Sequence, residues 1–374
     1  MKKVGIMTFH NSYNYGAVLQ AFALKTTIIS LGYDCDILNY QNSNQMKTFK
    51  ILNFSRFNAS TVARNFQNLL YIKSIKNRNN NYRKFINEKL CPYPRESVNL
   101  QKLIDLSKKY DIIICGSDQI WNLDPRMNDA DPVYFLDFAN DFKKVSYAAS
   151  FGDGTVNLDD KYLNAIRKFD SVSVREKSGL DYLRCNKISA QIVLDPTLLF
   201  DFEKWNCFVS DEPIIKGDYI VYYSVNSRKY SIDITKKVEK ILGMKVINLV
   251  LHPKSQFSGF KYSIDNSPID FLNIIKHAKF VCTNSFHGTV FSIIFKKPFY
   301  ALFNSENGKI VKEQRKWTLL QNLGMLDHAI TNETLLTKND IEKNINFNFD
   351  LPVKKLNELR DYSIEFLKRS LQGE

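Results

Sequence analysis

What this chain lacks narrows its function before any motif is read. No apolar run is long enough to cross a bilayer, and the opening stretch, Met1-Lys-Lys-Val-Gly-Ile-Met-Thr-Phe-His10, enters a core-like strand without the apolar segment of a secretory signal. Six cysteines (Cys35, Cys91, Cys115, Cys185, Cys207, Cys282) are scattered with no close pair. They resemble neither a disulfide framework nor a zinc ribbon, so a reducing cytoplasm is the simplest setting. Only five histidines occur, His10, His252, His277, His287 and His328, far apart in sequence, so nothing here supports a metal site. His-Glu-x-x-His, a Gly-x-Ser-x-Gly elbow, the dinucleotide glycine fingerprint and a Walker loop are all missing.

Acidic residues are in short supply: 52 Lys and Arg face 39 Asp and Glu, for a net charge of +13. Between Gln41 and Leu90 ten basic residues (Lys47, Lys50, Arg56, Arg64, Lys73, Lys76, Arg78, Arg83, Lys84, Lys89) stand against Glu88 alone. Aromatics are interleaved there, at Phe49, Phe54, Phe57, Phe66, Tyr71, Tyr82 and Phe85, and Val62, Phe66, Leu69 and Leu70 recur at helical spacing. Such a segment is either a basic amphipathic helix suited to an anionic membrane surface or an ordinary charged surface helix. No nucleic-acid recognition motif accompanies the charge, so nucleic acid is not an expected partner.

At 374 residues, 44% of them hydrophobic, the chain can bury two cores. Strand-like segments at Lys3 to Thr8, Asp34 to Leu38, Asp111 to Cys115, Lys144 to Ala148, Ser171 to Val174 and Gln191 to Leu194 alternate with helical stretches. A second series follows the loop near Ser210 to Gly217: strands at Tyr219 to Ser224, Lys245 to Val250, Phe280 to Cys282 and Phe299 to Leu302, with helices near Tyr230 to Leu242 and Pro268 to Lys276. The rhythm predicts an α/β protein of two Rossmann-like domains with a cleft between them. The boundaries read as 1–210, with a basic insertion near 41–90, then 211–350, then a C-terminal helix in 351–374 that packs back across the first domain.

In such sheets ligands collect beyond the carboxyl ends of the strands, and the residues found there are polar. Thr283-Asn-Ser-Phe-His-Gly-Thr-Val-Phe-Ser-Ile-Ile-Phe295 places His287 in the first turn of an apolar helix, with Asn284 or Ser285 as its cap. Free amides and the positive helix pole would hold an anion beside a side chain able to move a proton; alternatively the histidine merely closes a turn. After the first strand, Phe9-His-Asn-Ser-Tyr-Asn-Tyr-Gly-Ala17 brings Asn14, Tyr15 and Gly16 to a helix start, open to a ligand or simply capped. Gly116-Ser-Asp-Gln-Ile-Trp-Asn122 offers Ser117, Asp118, Gln119 and Trp121. There Asp118 can orient or deprotonate a sugar hydroxyl, or cap a helix, and Trp121 can stack on a sugar face. Arg175 can grip a carboxylate or phosphate with two prongs, or pair with Glu176 at the surface. Asp195-Pro-Thr197 reads as a stiff turn.

Taken in order, Ile6-Met-Thr-Phe-His-Asn-Ser-Tyr-Asn-Tyr-Gly-Ala-Val-Leu-Gln20, Gly116-Ser-Asp-Gln-Ile-Trp-Asn122, Ser173-Val-Arg-Glu176, Leu194-Asp-Pro196 and Asn284-Ser-Phe-His-Gly288 resemble the polysaccharide pyruvyl transferase family from about residue 3 to about residue 325. The resemblance implies a glycosyltransferase-B-like pair of Rossmann domains and transfer of pyruvate from phosphoenolpyruvate to a sugar as a ketal. It implies an acceptor in a capsular or other surface polysaccharide or its lipid-diphosphate-linked precursor, with phosphoenolpyruvate as co-substrate and no further cofactor. It carries His287 over as a catalytic residue, with Asp118 the second catalytic candidate for activating a hydroxyl, and Arg175, Ser285, Asn284 and Gly288 as donor-side positions, while Asn14, Tyr15, Gly16, Ser117, Gln119 and Trp121 are the acceptor or cleft candidates. Many family members have Arg-Leu-His-Gly where this chain has Ser285-Phe-His-Gly288, so one expected cation is missing and Arg315 is the candidate to replace it. Two other functions remain open to the sequence. One is a nucleotide-sugar glycosyltransferase on the same fold; the other is a non-enzymatic module held on a membrane surface by the segment 41–90.

Overall fold

Val4, Ile6 and Met7 of the first strand are buried although they point to both faces of the sheet, the mark of a parallel sheet covered by helices on each side. The computed structural model describes residues 1–41, 51–52, 59–123, 131–139, 141–152, 156–225, 228–306, 309–310 and 314–373. Lys47, Phe49, Lys50, Phe54, Arg56 and Phe57 of the basic segment lie outside the described residues.

The elements run β1 (Lys3–Met7), α1 (Tyr15–Ser30), β2 (Asp34–Tyr40), α2 (Ala59–Leu70), α3 (Ile72–Phe85), β3 (Tyr93–Val98), α4 (Leu100–Ser107), β4 (Ile112–Cys115), β5 (Lys143–Ala149), α5 (Asp160–Ile166), β6 (Ser171–Val174), α6 (Lys177–Cys185) and β7 (Gln191–Ile192). They continue with α7 (Phe202–Asn206), β8 (Tyr219–Tyr223), α8 (Lys229–Leu242), β9 (Lys245–Asn248), β10 (Lys261–Tyr262), α9 (Pro268–His277), β11 (Phe280–Thr283), α10 (Phe286–Ile294), β12 (Phe299–Phe303), β13 (Ser305–Glu306), β14 (Lys309–Ile310), α11 (Gln314–Leu323), β15 (Ala329–Thr331), α12 (Lys338–Ile345) and α13 (Asp350–Gln372).

These elements form two compact units. The first comprises Met1–Phe49, Lys84–Phe200 and Leu356–Glu374, and its sheet has the order β3-β2-β1-β4-β5-β6-β7, parallel throughout. Its core gathers Leu38, Ile113, Trp121, Phe135, Phe151 and Leu183. The second comprises Lys50–Arg83 and Asp201–Lys355, with a parallel sheet in the order β10-β9-β8-β11-β12-β15. Ile220, Tyr222, Val238, Phe280 and Leu302 lie in its core. Burying each such side chain fully contributes about 1.5–3 kcal/mol. Both orders reverse direction once, between β1 and β4 and again between β8 and β11, and a reversal of this kind is where open α/β sheets receive ligands.

The strands read from the sequence all form, and the differences have local causes. β7 stops at Ile192 because the Leu194 amide turns away to donate to Ser363 Oγ on α13 at 3.0 Å. β3 and β10 escape a pattern search: the first contains Pro94 at the sheet edge, and the second is two residues long. The units divide at Phe200 and Asp201 rather than near 210, and Lys50–Arg83 is grouped with the second unit. Two contacts explain the grouping: Tyr71 meets the ring of Tyr262 edge-on at 5.4 Å, and Asn81 Nδ2 donates to the Asp265 carbonyl at 2.7 Å.

Candidate active site

In the second unit the reversal point is built by the ends of β8 and β11. Thr283 closes β11 by donating Oγ1 to the Tyr223 carbonyl at 2.6 Å and accepting the Ser285 amide at 3.0 Å. Ser285, not Asn284, caps α10, its Oγ accepting from the Gly288 amide at 3.4 Å. Asn284 instead ties the two strand ends together, Oδ1 accepting from the Val225 amide at 3.1 Å. No acidic residue occupies the first turn of α10, so the positive pole of the helix carries no built-in counter-charge there. His287 lies in that turn, buried except for 7% of its surface and set edge-on against Phe286 at 5.2 Å.

Gly288 explains why the turn sits so close to the sheet. A Cβ there would lie 2.3 Å from Thr283 Oγ1 and 2.9 Å from Tyr223 Cδ1, so only glycine lets the first turn dock against the ends of β8 and β11. Ser224, at the end of β8, is fully buried with a hydroxyl that has no hydrogen-bond partner among the described residues.

The cation beside this turn is Lys316, which the sequence reading passed over. Its side chain is buried, and Nζ donates to the Asn284 carbonyl at 2.9 Å and to the Leu302 carbonyl at 2.8 Å while lying 4.3 Å from the centre of the Phe303 ring. Arg315, the candidate named from the sequence, is half-buried on the same helix. A signal was present: Lys316, Leu320 and Leu323 are spaced on the buried stripe of α11, and a lysine on an apolar stripe calls for a reason.

In the first unit the strand-end residues form a different object. Arg175, with 1% of its side chain exposed, reaches two carboxylates: NH1 donates to Asp195 Oδ2 at 2.6 Å and NH2 to Asp118 Oδ1 at 3.2 Å. Asp195 also accepts from Ser117 Oγ at 3.2 Å and from the amide and hydroxyl of Thr197 at 3.0 and 2.6 Å. The cluster joins the ends of β4, β6 and β7. The partners that hold the Arg175 guanidinium are thus Asp195 and Asp118, and an anion gripped by NH1 or NH2 would compete with these two carboxylates. Glu176 is buried and accepts the Phe151 amide at 2.6 Å. Asp195 does more than stiffen a turn.

Asp118 is the member of this cluster that reaches the surface, with 14% of its side chain exposed. Its backbone is held at φ 70 by hydrogen bonds from the Ile120 and Ser150 amides to its carbonyl at 2.8 and 3.0 Å. Gly116 precedes it at φ 135, where a Cβ would meet the Tyr147 carbonyl oxygen at 2.0 Å. Trp121 cannot be the expected sugar platform: it is fully buried, stacked on Phe135 at 5.6 Å, with Nε1 donating to the Tyr134 carbonyl at 3.1 Å. Gln119 accepts from Asn122 Nδ2 at 2.7 Å.

At the end of β1, Asn14 is exposed and caps α1, accepting from the Gly16 and Ala17 amides at 3.0 and 3.4 Å, while Tyr15 and Gly16 are buried. His10 is enclosed between the Thr8 carbonyl and Asn39 Oδ1, each 3.1 Å away, and burial holds its pKa below the usual histidine value. Among the described residues no group of three His, Cys, Asp or Glu side chains is arranged to hold a metal ion, and no helix is long and apolar enough to cross a membrane.

Two parallel, doubly wound sheets with polar strand ends at their reversal points define a glycosyltransferase-B-like α/β protein. Solved structures of that class match over nearly the whole chain. The UDP-GlcNAc 2-epimerase of Methanocaldococcus jannaschii aligns with a TM-score of 0.52 at 11% identity, covering 94% of this chain and 93% of its own. The S. aureus MnaA-UDP co-structure aligns at 0.53 and 12%, covering 100% and 97%. The UDP-GlcNAc 2-epimerase of Neisseria meningitidis bound to UDP-GlcNAc aligns at 0.53 and 10%, covering 98% and 99%. At these identities the likeness is one of fold. No curated protein matches the chain significantly. The model of the polysaccharide pyruvyl transferase family matches residues 14–306, and the chain belongs to that family.

Proposed function

We propose that this protein transfers pyruvate from phosphoenolpyruvate to two hydroxyls of a sugar in a surface polysaccharide or its lipid-linked precursor, forming a ketal and releasing phosphate. One observation carries the reading most directly: a buried histidine in the first turn of α10, at the β8–β11 reversal, beside the ammonium of Lys316 and with no acidic residue in that turn. A helix start with an added cation suits a donor bearing a phosphate and a carboxylate.

The reaction balances as follows. A proton is delivered to the enol methylene, which becomes the methyl group, and one sugar hydroxyl adds to the adjacent carbon. The carbon–oxygen bond to phosphate breaks, the second hydroxyl adds, and of the two hydroxyl protons released one replaces that spent on the methyl group while the other leaves with phosphate. His287 is assigned the proton transfer to the donor or to the departing phosphate. Lys316 is assigned the charge that the family arginine supplies where this chain has Ser285. On the first unit, Asp118 is the group assigned to accept a proton from an acceptor hydroxyl, with Arg175 holding it in place.

The test is acceptor-dependent phosphate release. His287→Ala should abolish it in a protein that stays folded, and near-normal turnover would remove His287 from the mechanism. Thermal shifts with phosphoenolpyruvate set against UDP-sugars separate this reading from a nucleotide-sugar glycosyltransferase, which would be stabilised by the latter alone.

A further inference from the structure

Helix α2 is packed with its polarity reversed. Val62, Phe66, Leu69 and Leu70 fall on one stripe, and they are 57%, 60%, 52% and 59% exposed. Two polar residues take the inward side instead, Gln67 at 1% exposure and half-buried Asn68, which donates to the Ile51 carbonyl at 2.6 Å, while Arg64 is exposed with the apolar stripe. Its neighbour α3 has ordinary polarity, burying Ile75, Tyr82 and Phe85 and exposing Lys73, Lys76 and Arg83. From Ala59 to Arg83 there are five basic residues, Arg64, Lys73, Lys76, Arg78 and Arg83, and no acidic one.

A helix that shows its apolar stripe to water needs a cover. We propose that α2 lies in the surface of an anionic lipid bilayer, its four apolar side chains inserted at the headgroup boundary and the basic residues of α2 and α3 set against lipid phosphates. Two observations choose this occupant over a second copy of the chain. The stripe exposes roughly 400 Å², about half of what each partner buries in a stable dimer. Two copies would also bring their uniformly basic segments together, whereas anionic lipid complements them. Insertion of a small apolar face combined with opposite charge is the regime in which interfacial helices bind reversibly. The proposal concerns a surface and needs neither donor nor acceptor, so it stands or falls apart from the catalytic reading.

Co-sedimentation of the full chain with phosphatidylcholine vesicles, with and without one-third phosphatidylglycerol, tests it. Binding to the anionic vesicles alone is expected, weakening as salt rises. Phe66→Asp with Leu70→Asp should lower the partition constant by about a hundredfold, and Lys73→Glu with Lys76→Glu by at least about tenfold. Both variants should unfold at the wild-type temperature, since all four positions are exposed. Absence of wild-type binding overturns the proposal, as does undiminished binding by Phe66→Asp/Leu70→Asp. So does a wild-type dimer in solution that Phe66→Asp dissociates while no vesicles are bound, which would make the second copy the occupant.

Discussion

Replacing Lys316 with methionine keeps most of the length of the side chain and removes its charge, so it asks whether the ammonium holds the donor or only braces the loop. Nζ is 2.9 Å from the carbonyl of Asn284, and the first-turn amides of α10 follow within two residues. An anion bound there would sit on the order of 7 Å from the ammonium, since consecutive Cα atoms are about 3.8 Å apart. At an effective dielectric constant of about 20, one unit charge at that distance contributes roughly 2 kcal/mol. That corresponds to about a thirtyfold rise in KM for phosphoenolpyruvate, with kcat changed by no more than a few fold. The Asn284 and Leu302 carbonyls also lose a donor, which costs about 1–3 kcal/mol each when the group stays buried, so unfolding must be followed alongside. Phosphate release at saturating acceptor, titrated with phosphoenolpyruvate, measures the effect. Lys316→Arg should recover a large part of it. A methionine variant that is less stable but keeps its wild-type KM would refute the donor role and leave Lys316 as a brace.

Three further outcomes are expected. Gly288→Ala forces a Cβ against Thr283 Oγ1 and Tyr223, so urea unfolding should show a loss of about 1–3 kcal/mol, and activity should fall further as the His287 turn is pushed from the sheet; an unchanged midpoint would contradict the close packing. Arg175→Met leaves the Asp195 and Asp118 carboxylates without their shared partner and should destabilise the protein by about 3–5 kcal/mol; a loss under about 1 kcal/mol would show that the cluster is not the strut described. Burial lowers the pKa of both His10 and His328, so the unfolded chain binds more protons than the native one as pH falls through the usual histidine range. Their contribution to stability is present above about pH 6.5 and is lost below it. The denaturation midpoint should therefore drop between about pH 7.5 and about pH 5.5, and a midpoint that rose on acidification would reverse the sign of the argument.

Much of the fold was legible because its strands are continuous apolar runs that end in polar loops, a contrast local enough to read by eye. The same locality explains His287: strand, cap, histidine and apolar helix lie within a dozen residues. What was missed depends on distance along the chain. Arg175 meets partners 57 and 20 residues away, and in sequence its only evident partner was the adjacent Glu176. Lys316 reaches a carbonyl 32 residues back. Trp121 was misread because its polar neighbours suggested a ligand, whereas the ring turns into the core beside Phe135. For α2 the periodicity disclosed an amphipathic helix, and only the packing disclosed which face points outward.

Transfer of pyruvate to a sugar leaves a covalent product that can be weighed. Incubating the protein with phosphoenolpyruvate and a panel of free and lipid-linked galactose, N-acetylglucosamine and N-acetylmannosamine glycans, then examining the glycans by mass spectrometry, tests it most directly. A pyruvyl ketal is expected on at least one glycan, formed with one phosphate released per adduct and absent with His287→Ala. Phosphoenolpyruvate left unconsumed and no pyruvyl adduct on any glycan, while a parallel incubation with nucleotide sugars yields a glycosyl adduct, is the opposite result.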